Sequence, residues 1–193
     1  MDPAPTTPIL TTRRLILRPL ELADAEAVQQ IFPQWQIVRF LASSVPWPYP
    51  ADGAQSFLRD VALKGMREGH EWHWSLRLKS SPDRLIGLIS LRDTQDDNRG
   101  FWLDPPFHGQ GLMTEGCAAV TRFWFEDLKR PVLRVPKAVP NIASRRISQR
   151  AGMRVVFTEE RDYVGGRFTT EVWELSAEEW QRRQDGDKGP EKH

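Results

Sequence analysis

The spacing of apolar residues along this chain switches between a period of two and a period near 3.6, and the switches mark out its elements. Leu15-Ile16-Leu17-Arg18-Pro19 predicts a short strand stopped by proline. Asp24 precedes Ala25–Ile31, a helix with an acidic start, and Pro33 separates it from a second helix reaching about Ala42. Asp52 opens a helix through about Arg67, with Phe57, Leu58, Val61 and Leu63 turned inward and Glu68-Gly69 at its end. Trp72, Trp74, Leu76 and Leu78 then alternate with His73, Ser75 and Arg77, as on a strand with one apolar face.

Ser80–Asp83 reads as a turn, and Leu85–Leu91 is almost continuously apolar, as a central strand is. Thr94–Asn98 is a polar turn before the strand Gly100–Leu103. From Met113 the period becomes helical, with Met113, Cys117, Val120 and Trp124 on one face and an end near Leu128. Val132–Val139 reads as a strand interrupted by Pro136, and Asn141–Met153 as a short helix with an Asn cap and a Gly152 stop. Two strands, about Arg154–Val164 and Phe168–Leu175, flank a Gly165-Gly166 turn. Ser176–Glu179 starts a capped terminal helix. Residues 1–10 read as a flexible leader, 11–184 as a single domain and 185–193 as a disordered polar tail.

Three stretches carry candidate chemistry. Pro105-Pro106 ends a strand, Gly109 and Gly111 free the backbone, and a helix follows. Such a loop aims several N–H groups and the helix dipole at one spot, a phosphate site that needs no lysine. Thr114 stands where the dinucleotide-binding pattern needs glycine, and the Gly-Lys-Ser/Thr of the nucleoside-triphosphate loop is missing. Val45–Pro50 places Trp47 and Tyr49 among three prolines, either as a lid over core or as a stiff aromatic wall for a ligand. His70-Glu71-Trp72-His73 lacks the His-Glu-x-x-His spacing and lies on a strand, so it predicts no metal site. Cys117 reads as packing rather than as a nucleophile, and no Ser-His-Asp set is suggested by spacing.

The chain of 193 residues has 27 basic and 26 acidic side chains, so bulk charge gives no reason to expect nucleic acid or membrane binding. Its single cysteine excludes an internal disulfide and fits a reducing compartment. No apolar run reaches ~20 residues and no basic-then-apolar leader is present, which predicts a cytoplasmic protein.

The stretch His108-Gly109-Gln110-Gly111-Leu112-Met113-Thr114-Glu115 resembles the pyrophosphate loop of the GNAT superfamily of acyl-CoA-dependent N-acyltransferases. The resemblance is to the Rim-type branch, the N-terminal acetyltransferases of ribosomal proteins and their relatives. Arg14-Leu15, Arg18-Pro19, Leu22–Ala25, Ile86-Gly87, Trp102–Pro105, Asn141 with Ser144, and Gly152-Met153 follow in the order of that branch. It implies an α/β fold with a twisted mixed sheet of about seven strands, helices on both faces, and a V between the fourth and fifth strands that holds pantetheine. It also implies acetyl-CoA as co-substrate, an amine acceptor (a protein N-terminus or a small molecule), and a monomer or homodimer.

By the same resemblance, Trp102, Leu103, His108, Gly109, Gln110, Gly111, Leu112, Met113, Thr114, Asn141 and Ser144 contact the cofactor, and Ser144 protonates the leaving thiolate. Trp47 and Tyr49 are expected at the acceptor. His108 and Met113 depart from the loop's written pattern, Ser148 stands where many relatives have tyrosine, and Asn98 where relatives often have a glutamate base. Asp96, Asp97 and Glu160 are the replacement candidates for that base. The competing implication is a domain that keeps the fold or the acyl-CoA affinity and has lost the chemistry.

Overall fold

A computed structural model describes residues 6–187. Its strands form two sheets, one of five in the order β1-β2-β3-β4-β5 and one of three in the order β6-β8-β7. The first comprises β1 (Leu10–Thr11), β2 (Leu15–Pro19), β3 (Glu71–Leu78), β4 (Ser81–Arg92) and β5 (Arg99–Leu103), each antiparallel to its neighbour. The second comprises β6 (Val132–Ala138), β7 (Arg154–Tyr163) and β8 (Gly166–Ser176). The expected central sheet with helices on both faces is present, split into two. Because Leu10–Thr11 pairs with β2, the opening of the V falls between β5 and β6. The expected leader is therefore tied down at its end: Pro8 O also accepts the Trp74 indole N–H at 2.7 Å. The expected tail overlaps α7 (Ala177–Asp187) as far as Asp187 and otherwise lies outside the described residues.

One layer of core lies under α5 (Leu112–Glu126). Leu15, Leu17, Trp72, Trp74, Leu76, Ile89 and Leu91 of the first sheet pack with Cys117, Val120, Phe123 and Trp124. The Trp74 and Phe123 rings meet edge to face at 5.5 Å. Ser176 and Glu179 cap α7 reciprocally: the Ser176 N–H donates to Glu179 Oε2 at 2.9 Å, and the Glu179 N–H to Ser176 Oγ at 3.1 Å.

The other face of the first sheet is covered by α1 (Ala25–Ile31), α2 (Trp35–Val38), α3 (Gly53–Phe57) and α4 (Leu63–Glu68). Four expectations change. A wide π turn, Leu58–Ala62, joins α3 to α4; it aligns Leu58 and Ala62 on the buried side and leaves Val61 exposed. The polar side of β3 is not a solvated face, because His73, Ser75 and Arg77 are all buried beneath these helices. Each is satisfied there: Arg77 Nη2 donates to Asp24 Oδ1 at 2.5 Å and Nη1 to Asp83 O at 2.8 Å. The second helix stops at Val38, short of the expected Ala42, and the chain turns toward β7 and β8. The β7–β8 turn uses Val164-Gly165, one residue earlier than expected.

Candidate acetyl-transfer site

β5 and β6 part from one joint. The Asn98 N–H donates to Arg134 O at 2.8 Å, and Asn98 Oδ1 accepts the Arg134 N–H at 2.7 Å. Asn98 Nδ2 donates to Arg92 O at 3.2 Å and also to Thr94 O. Asn98 is buried, and its amide is wholly used in holding the apex. The next residue of β6 whose backbone faces β5 is Pro136, since Leu133, Val135 and Lys137 face β8 in the alternation that ends with Val139 N–H to Thr169 O. Proline has no N–H for a further rung, so the strands separate there.

On the β5 side, the pairing with β4 runs from Arg92 N–H donating to Asn98 O, to Asp104 N–H donating to Ile86 O. By antiparallel alternation, the backbone of Trp102 is engaged with Leu88, and that of Phe101 faces the opening. The Leu103 carbonyl also faces the opening but accepts from His108 Nε2 at 2.7 Å. Past the joint, the Phe101 N–H and C=O therefore meet no partner among the described residues; sequence spacing names its neighbours because it does not show which edge is paired. The Trp102 side chain turns to the α1 side, its ring 5.5 Å from that of Phe32.

The glycine loop leads from β5 into α5 through a single 3-10 turn, Pro105–Phe107. Gly109 and Gly111 both adopt φ of 74°, and Gly111 caps α5. Glu115 N–H to Gly111 O is the first hydrogen bond of the helix, so the N–H groups of Gly109, Gln110, Gly111, Leu112, Met113 and Thr114 meet no acceptor among the described residues. The side chains of Leu112 and Met113 are buried, and those residues offer only backbone. The donor array fits a pyrophosphate. Its brace comes from the other end of the chain: Glu115 accepts from Arg14 Nε at 2.7 Å and from the Arg14 N–H at 2.7 Å, and Arg14 Nη1 donates to Gln110 O at 2.9 Å. Burial raises the Glu115 pKa, but its bonds to Thr12 and Arg14 outweigh that and hold it below the ordinary range. Both partners stand in the sequence motifs; their pairing across more than half the chain does not.

Helix α6 (Ile142–Arg150) starts at Asn141, whose Oδ1 accepts the Ser144 N–H at 3.3 Å. Ser144 and Ser148 are buried one turn apart, and the Ser148 hydroxyl has no hydrogen-bond partner among the described residues. Of the three carboxylates considered for a base, Asp96 is bonded to Arg134 Nη1 at 2.9 Å and Asp97 pairs with Arg92 at 3.0 Å. Glu160 is exposed on β7 and accepts from Thr169 Oγ1 at 2.6 Å. Tertiary structure does bring one hydroxyl–imidazole–carboxylate chain together: Ser90 Oγ lies 2.8 Å from His73 Nδ1, and His73 Nε2 is 2.6 Å from Glu71 Oε2. His73 is 1% exposed, with the Phe57 ring against it, so this chain satisfies a buried face.

The open end of the V is bridged. Val164 N–H donates to Leu41 O at 3.0 Å and Gly165 N–H to Arg39 O at 2.9 Å, fastening the segment after α2 to the β7–β8 turn. From there the proline-rich loop runs back over the sheet. Its two aromatics separate: Tyr49 packs edge-on to Phe32 at 4.9 Å and lies against Gly53, while Trp47 is 42% exposed and touches the exposed Trp35 at 5.9 Å.

Residues 14–154 match the acetyltransferase (GNAT) domain family. The chain belongs to the GNAT acetyltransferases. It is 27% identical over 156 residues to "Probable N-acetyltransferase YjcK" of Bacillus subtilis (strain 168), spanning 75% of this chain and 82% of that one. Among solved structures it is similar to RimL, the ribosomal L7/L12 alpha-N-protein acetyltransferase in complex with coenzyme A. The TM-score is 0.74 at 16% identity, covering 90% of this chain and 98% of that chain. It is likewise similar to the ribosomal-protein-S5-alanine acetyltransferase of Vibrio fischeri, with TM-score 0.75 and 12% identity over 89% of this chain and 98% of that chain. As a GNAT protein it is an acyl-CoA-dependent acetyltransferase with acetyl-CoA as co-substrate. No helix among the described residues is long and apolar enough to cross a membrane.

Proposed function

We propose that this acetyltransferase acts on the α-amine of a protein N-terminus. One observation carries the choice: each of the three carboxylates named as a base already holds a partner, an arginine for Asp96 and Asp97 and a threonine hydroxyl for the exposed Glu160. A protein α-amine, with pKa near ~7.8, is roughly one-third neutral at pH 7.5, whereas a lysine amine, pKa ~10.4, is neutral only about once in a thousand. A site without a strong base therefore favours the α-amine. The names of the Rim-type structures, acetyltransferases of ribosomal-protein N-termini, support the same class.

In this reading the pyrophosphate rests on the backbone of Gly109–Thr114, and the thioester carbonyl is polarised from the Phe101 N–H on the free edge of β5. The amine enters beneath the 39–43 bridge, past Trp47. Attack of the neutral amine forms the C–N bond and breaks the C–S bond with its electron pair on sulfur; the Ser144 hydroxyl passes its proton to the CoA thiolate and is reprotonated by the proton that the amine nitrogen sheds. Thiol release from acetyl-CoA, measured against peptides, polyamines, amino acids and aminoglycosides, tests this. Peptides with a free α-amine should be turned over fastest, with a rate that rises through the α-amine pKa. Preference for an aminoglycoside or polyamine would replace the acceptor class, and no turnover with any amine would leave only an acyl-CoA-binding domain.

A further inference from the structure

Lys137 lies on β6 directly after Pro136, where the V opens. It is 7% exposed, whereas the other described lysines, Lys64, Lys79 and Lys129, are exposed. Its side chain does not leave for solvent. Nζ sits 4.6 Å from the centroid of the Phe101 ring, so the amine reaches from the β6 arm to the β5 arm at the residue whose backbone faces the opening. It donates no hydrogen bond and makes no ion pair among the described residues. A cationic side chain of this kind ordinarily reaches water or a carboxylate.

We propose that Lys137 Nζ is an acetyl acceptor in cis: with no amine substrate present, the enzyme acetylates itself at this lysine. The inference rests on the reading that the thioester occupies the opening between β5 and β6. Neutral Nζ attacks the thioester carbonyl carbon. The C–N bond forms, the C–S bond breaks with its electron pair on sulfur, and the proton shed by nitrogen goes to that thiolate. The products are acetyl-lysine and the CoA thiol. Burial, aided by Arg99, pushes the amine down to about 8, so roughly a quarter of it is neutral at pH 7.5. The product is an uncharged amide lying between the two arms. Self-acetylation therefore blocks the pantetheine path and slows later turnover.

Wild-type protein incubated with acetyl-CoA alone, then followed by intact mass and peptide mapping, tests the proposal. The expected result is a single acetyl group on Lys137, with a rate that saturates in acetyl-CoA and falls when excess CoA competes. The exposed lysines Lys64, Lys79 and Lys129, which the opening does not hold, should be labelled far more slowly. Turnover of a peptide should decline in step with the mark. Lys137→Arg should lose the mark while calorimetry shows that it still folds and binds CoA. An unmodified Lys137 in a preparation that acetylates peptides overturns this inference and leaves the proposed function standing. Labelling of Lys64, Lys79 and Lys129 at the same rate as Lys137 overturns it as well. Failure of the wild type to bind acetyl-CoA overturns both.

Discussion

Asn98 and Arg134 exchange two hydrogen bonds across the apex of the V, N–H to carbonyl at 2.8 Å and N–H to side-chain amide oxygen at 2.7 Å, and these tie the two sheets together where β5 and β6 begin to part. Asn98, at the position where the resemblance leads one to expect a carboxylate base, is in this chain a fastener. Asn98→Ala leaves the Arg134 N–H and the Arg92 carbonyl short of a partner in a buried place. It should cost ~1–3 kcal/mol and lower the melting temperature by several degrees. Unchanged melting beside the wild type would show that the joint is not needed.

The glycine loop should fail in two separable ways. Gly111→Val places a branched side chain at φ of 74° beside the donor array and should weaken CoA by at least ~1.4 kcal/mol, a tenfold loss by calorimetry. Glu115→Gln removes the charge that Arg14 and Thr12 hold. Because the folded Glu115 pKa is depressed, its stabilisation is present above the ordinary carboxylate range and is lost as pH falls through the folded value. The variant should therefore melt lower at pH 7, and the two curves should converge in acid.

The two buried serines of α6 predict opposite behaviour. Ser144→Ala should lower kcat with little change in CoA affinity. Ser148→Ala removes a buried hydroxyl that no described residue satisfies and should be neutral or stabilising, by up to ~1–3 kcal/mol. A loss of stability at Ser148 would mean that its hydroxyl finds a partner.

Trp47 and Tyr49 should also diverge. Trp47→Ala is expected to raise KM for the amine several-fold, with acetyl-CoA affinity nearly unchanged and only a small fall in melting, since the ring is 42% exposed and meets the exposed ring of Trp35. Tyr49→Ala should instead destabilise by up to ~3–5 kcal/mol, because that ring packs on Phe32 and fills the space beside Gly53. Melting curves with both KM values separate the two roles.

Lys137 gives a pH signature independent of chemistry. Its folded pKa, about 8, lies below the ordinary lysine value, so the folded protein releases this proton before the unfolded chain does. Its burial penalty is full below pH 8 and fades as pH rises toward ~10.4, by up to ~3 kcal/mol. Lys137→Met should therefore be the more stable protein at pH 7, with the gap closing between pH 8 and 10. A constant gap would place the amine in water.

Whatever is local in the chain could be read from its residues alone. The apolar periods of β3, β4 and α5, the Asn141 and Ser176 caps, and the glycines at 109 and 111 each act within one turn or one strand, so spacing suffices to read them. What depends on which surfaces meet was fixed by packing between distant segments. His73, Ser75 and Arg77 alternate like a solvated face, yet the helices between β2 and β3 cover them, and Asp24, 53 residues away from Arg77, supplies the charge that makes this tolerable. Trp102 and Leu103 are the conspicuous residues of β5, but edge pairing turns the backbone of Phe101 to the opening. Lys137 sits in an ordinary strand pattern. That its amine is buried across the V follows only from the separation of β5 and β6, set by an asparagine that joins them and a proline that cannot.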